Sequence, residues 1–154
     1  MSLLLELLAS AALAAIAAVG FGMLFNVPLP MLGWCALGGA IGRGGRLLMV
    51  KGGLSVPWAT LFAAAGVSFL GVWVARRLRA HPKVVTVASV IPMVPGTTLY
   101  STLLSIWAME HSGPTEELVR AALRNGLDAT FVVAALALGL AAPGLIFFRR
   151  RPVV

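Results

Sequence analysis

Two prolines and a glycine interrupt an otherwise apolar stretch, Val84 to Met109, at Pro92 and Pro95-Gly96. A proline ring has no amide hydrogen, so Pro92 and Pro95 cannot donate to the carbonyls of Ala88 and Ile91, while Gly96 adds backbone freedom. A bare carbonyl in lipid is costly, so the freed groups must face protein, water or a ligand. A second half-helix starting near Gly96 would aim its first amides into the break, with the positive end of its dipole behind them. That arrangement suits a carboxylate. Beyond the break, Thr97, Ser101 and Ser105 recur every four residues with Thr98 and Thr102 beside them, which makes a hydroxyl stripe on one helix face. Such a stripe can bond polar atoms of a solute, or it can serve helix packing, because hydroxyls in membrane helices often bond only to their own backbone.

Arg43 and Arg46 are the cations to set beside that break. They stand in Gly42-Arg43-Gly44-Gly45-Arg46, at the end of a glycine-rich apolar stretch. An arginine at membrane depth costs at least about 2.5 kcal/mol on insertion scales and usually faces a cavity or a partner. The two are either tolerated exceptions to the positive-inside trend or are held because they meet negative charge. Acids are scarce. Glu6 and Asp128 alone lie inside candidate spans, both near an end; Glu6 reads as interfacial, and Asp128 as a helix cap or a partner for Arg124.

The elements that position these residues are membrane helices. Of the 154 residues, 60% are hydrophobic and 11% are charged, and the mean hydropathy is +0.97. Soluble domains carry about 25% charged residues, so a water-facing surface is excluded. The expected fold is all-α: one integral membrane domain over residues 1–154, a polytopic bundle with five candidate spans. These are 3–25, 31–50, 54–75, 84–109 broken at Pro92 and Pro95-Gly96, and 127–148. Four spans with a re-entrant 31–50 segment is the alternative. Lys and Arg cluster at Arg76 to Lys83 and at Arg149 to Arg151, two spans apart, so both clusters share a side, expected to be the cytoplasm. Between them, Pro114, Glu116, Glu117, Arg120 and Arg124 suggest a short polar helix on the outer surface.

The net charge of +7 fits cytoplasmic loops better than a nucleic-acid partner. A single cysteine, Cys35, leaves no intrachain disulfide. No metal-ligand spacing, phosphate-binding glycine loop or nucleophile beside a base occurs, so an enzyme or ATP-driven pump is disfavoured and no cofactor or metal is expected.

Several segments together resemble the short membrane subunit, of the YjjB type, of the threonine/serine exporter family. They are Ala17 to Pro28, Trp34 to Leu37 with Gly42 to Arg46, Ala80 to Gly96, and Pro143 to Leu145 with the terminal arginines. The resemblance implies a two-component exporter in the bacterial inner membrane, in which this chain acts with a larger subunit of the YjjP type. It also implies export of small carboxylates, either succinate or threonine and serine, and leaves room for a higher oligomer. The residues expected to bind the solute are Pro92, Pro95, Gly96, Thr97, Thr98, Ser101, Arg43 and Arg46. The alternative role is a scaffold that stabilises the partner without transporting.

Overall fold

A computed structural model describes residues 3–147. The arginines at 149, 150 and 151, expected to close the last span, lie outside them. The first helix, α1 (Leu3–Leu24), stops where Asn26 takes a left-handed conformation at φ 56°, and the amide of Val27 donates back to Gly22 O at 2.9 Å. Asparagine tolerates that conformation better than most residues. Helix α2 (Leu29–Lys51) carries Pro30 in its first turn, where the missing amide hydrogen is no loss, and α3 (Val56–Leu78) carries Pro57 in the same way. The chain continues through α4 (Lys83–Val90), a 3-10 turn at Ile91–Met93, α5 (Gly96–Ser112) and α6 (Glu116–Phe147). Every element among the described residues is helical.

Contacts at the helix ends establish the direction of each pass. Lys51 Nζ lies 3.0 Å from Glu6 Oε2, joining the end of α2 to the start of α1. Trp34 meets Trp73 edge-on at 5.8 Å, joining the start of α2 to the end of α3, and Arg77 lies over the Trp73 ring. Successive passes α1, α2 and α3 are therefore antiparallel. Helix α6 runs parallel to α3, because Val56 shares a cavity wall with Val132 while Ser68 Oγ donates to Leu140 O at 2.9 Å. The Arg76 to Lys83 loop and the C-terminal end of α6 thus share one face of the bundle, opposite Glu6 and Lys51.

Helices α1, α3 and α6 are long and apolar enough to cross a membrane, and α4 with α5 adds a fourth crossing if the bent pair counts as one. Helix α2 has the length of α3, but glycines and cations lower its apolar content. It is one unbroken helix packed against α1, α3 and α4, without the reversal that a re-entrant segment requires. Its buried residues are Cys35 and the glycines at 38, 39, 42 and 44. A Cβ at Gly39 would stand 2.7 Å from Ala18 Cβ and 2.8 Å from Ala14 O, so the close crossing of α1 and α2 depends on a missing side chain.

The region after Pro114 differs from the sequence expectation. In place of a separate polar helix followed by a span from Leu127, residues Glu116 to Phe147 form one helix of 32 residues. At 1.5 Å per residue it is about 48 Å long, well beyond a hydrocarbon core of about 30 Å. Gly126, just before the expected start of the span, costs a helix interior only about 1 kcal/mol and lies against Thr102 of α5. Arg120 also supports the first turns by pairing with Glu116 at 2.8 Å. Asp128 consequently sits inside a helix and cannot cap one.

Candidate functional site

The break forms as the prolines require. Helix α4 ends at Val90, the next three residues tighten into the 3-10 turn, and the helical segments before and after the break are bent by 54°. The carbonyl of Ile91, denied an amide from Pro95, accepts from Val94 N at 3.0 Å. Pro95, at φ −81° and ψ 59°, makes an inverse γ-turn in which Gly96 N donates to Val94 O at 2.9 Å. One of the three leading amides of α5 is therefore occupied within the chain. Those of Thr97 and Thr98 belong to the first turn, which receives no side-chain cap.

Arg46 completes the break. Its Nη1 donates to Met93 O at 2.8 Å, across from α2 into the turn between α4 and α5. Gly42 makes this possible, because a Cβ there would stand 3.0 Å from Met93 Cε and 2.9 Å from Val67 Cγ2. Gly42 and Arg46 are four residues apart on one helix face, so the glycine brings α2 against the turn and the arginine caps it one turn later. Met93 itself is fully buried and packs with Val67, Val90 and Val132. The arginine meets the negative end of a backbone dipole rather than a carboxylate. A guanidinium has five N–H donors, so this bond leaves others for a ligand.

A cavity of about 350 Å³ opens beside this contact, walled by Arg46, Pro95, Thr98, Asp128 and the start of α3 at Ser55, Val56 and Pro57. It shares Arg46 and Val56 with a smaller cavity that Arg43 lines, and Thr98 and Asp128 with a third that Glu117, Arg120 and Arg124 line. The three thus adjoin one another, through these shared residues, from α2 across the break to α6. A separate cavity at the opposite face of the bundle is lined by Ser68, His81, Lys83 and Thr86.

Of the residues picked from sequence, Arg46, Pro95 and Thr98 come together in the central cavity, and Arg43 lies in the adjoining one. Pro92 is half-buried in the 3-10 turn, while Gly96, Thr97 and Ser101 are exposed and line none of these cavities. The hydroxyl stripe divides. Thr102 and Ser105 donate to the carbonyls of Thr98 and Ser101 at 2.9 Å each, which is backbone bonding within α5. Ser55, Pro57 and Asp128 were not picked. Only Asp128 carried a signal, as an acid inside an apolar span. Among the described residues no group of three or more His, Cys, Asp or Glu side chains is placed to hold a metal ion.

Residues 10–146 match the family described as Threonine/Serine exporter, ThrE. The chain belongs to this exporter family. In this threonine/serine exporter chain the match runs from Ser10 to Ile146, taking in the whole of α2 to α5, the Arg46 contact and Asp128. The family is one of transporters, so the cavities of this ThrE chain belong to a protein that moves a solute across a membrane. No solved structure matches it.

Proposed function

We propose that this chain is the membrane subunit of a two-component secondary exporter of small carboxylates, either succinate or threonine and serine. It acts with a larger, YjjP-type partner in the bacterial inner membrane, its C-terminus cytoplasmic, and draws on an ion gradient. The observation that carries this reading is the Arg46 bond to Met93 O, which places a cation against the bared backbone of a broken helix and beside a cavity. Arg46 supplies the countercharge and a planar fork that matches a carboxylate, and Arg43 adds positive potential from the adjoining cavity. The uncapped first turn of α5 contributes amide donors at the same end, and Thr98 offers a hydroxyl to a polar group of the solute. Discontinuous helices hold solutes in this way in many secondary transporters.

The test is release of labelled solute from vesicles that contain both subunits, loaded with succinate or threonine. Losing one hydrogen bond to a charged group costs about 1.5–3 kcal/mol, so Pro95→Ala combined with Gly96→Leu should slow release about tenfold or more. A normal rate from an intact complex would remove the break from the mechanism. If substitutions at Arg46 and Thr98 change assembly but never solute preference, the chain is a scaffold for its partner.

A further inference from the structure

Asp128 and Arg46 carry opposite charges, line one cavity, and do not pair with each other. The ion pairs of Lys51 with Glu6 and of Arg120 with Glu116 do not involve Asp128, and among the described residues no cation pairs with it. Val56, Pro57, Pro95 and Val132 supply the apolar part of the same wall. A pocket lined by a cation on α2, an anion on α6 and apolar side chains is complementary to a small dipolar ion.

We propose that Asp128 is a selectivity-determining residue that binds the ammonium group of the solute while Arg46 binds its carboxylate. The inference rests on the central cavity being the solute site. One α-amino acid presents a partner to each of these two charges, and Thr98 stands within the same wall to bond its side-chain hydroxyl. A dicarboxylate of similar length would place its second carboxylate against Asp128, where like charges repel. The remaining charged groups do not reverse that preference. Arg43 lines the adjoining cavity and not the central one, Arg120 is held by Glu116, and Glu117 lines the third cavity alongside Arg124.

The experiment uses vesicles carrying both subunits and two labelled solutes, threonine and succinate, with unlabelled 3-hydroxybutyrate as a threonine analogue that lacks the ammonium group. In the wild type, threonine should be released faster than succinate, and 3-hydroxybutyrate should compete with threonine about tenfold more weakly than threonine itself. Asp128→Asn should lower threonine release about tenfold, raise succinate release because the repelling charge is gone, and bring 3-hydroxybutyrate level with threonine. Asp128→Glu keeps the charge and should keep the preference. Equal losses for both solutes, no loss for either, or a wild type that prefers succinate would overturn the role of Asp128. If Asp128→Asn fails to assemble, the analogue competition in the wild type decides by itself. Release of both solutes unchanged by Arg46→Gln would instead sink the cavity as the solute site.

Discussion

Replacing Arg46 by glutamine should lower export of either carboxylate between about tenfold and a hundredfold while the chain still assembles with its partner. The guanidinium does two jobs at once. It donates to Met93 O at 2.8 Å, and it is the cation of the central cavity. Glutamine is too short to reach the turn in the same way and carries no charge. A carbonyl left without its partner costs about 1–3 kcal/mol, and a lost charge-assisted bond to the solute costs a similar amount. The second loss is the one that release rates register, while the first appears as a lower unfolding temperature. Arg46→Lys separates the two, since it keeps the positive charge without the planar fork and should fall between wild type and glutamine. Release at the wild-type rate from Arg46→Gln vesicles, measured per assembled complex, would contradict this role.

Gly42→Leu should be nearly as damaging for a different reason. The built Cβ contacts at Val67 and Met93 leave no room for a branched side chain, so α2 must retreat from the broken turn. Overpacking of this kind costs about 1–3 kcal/mol of stability. The retreat also carries Arg46 away from Met93 O, because both side chains project from the same face of α2. Export should therefore fall together with thermal stability. Gly42→Ala is the control. Its methyl group stands 2.9 Å from Val67 Cγ2, so that branched, buried side chain must shift as well as the flexible end of Met93, which offsets the about 0.5–1 kcal/mol of helix propensity that alanine regains. It should export at a rate between those of the wild type and Gly42→Leu. Normal export from Gly42→Leu would mean that the close crossing of α2 over the break has no part in transport.

The break itself was legible because its cause is local: a proline lacks an amide hydrogen wherever it stands, and two prolines with a glycine bend the chain within five residues. The spans α1 and α3 were legible for the same kind of reason, as long apolar runs with at most one charge. What joins Arg46 to Met93 was not, because 47 residues separate the partners. Yet the four-residue spacing of Gly42 and Arg46 already put a close-approach residue and a long cation on one face. The continuity of α6 is not legible because the charged residues from Glu116 to Arg124 resemble a separate surface helix until the packing of α5 against α6 is known. Asp128 escaped with it. Read as a residue at a helix start it looks like a cap, whereas inside a continuous helix its carboxylate is free to face the cavity.

The most direct measurement is a structure of the assembled exporter with threonine bound. The carboxylate should lie within hydrogen-bond distance of the Arg46 guanidinium, beside the turn that links Met93 to Gly96, with the chain still bent there. A straight helix running from Lys83 to Ser112, or a threonine bound elsewhere with Arg46 out of reach, would contradict the claim that the interrupted span is the solute site.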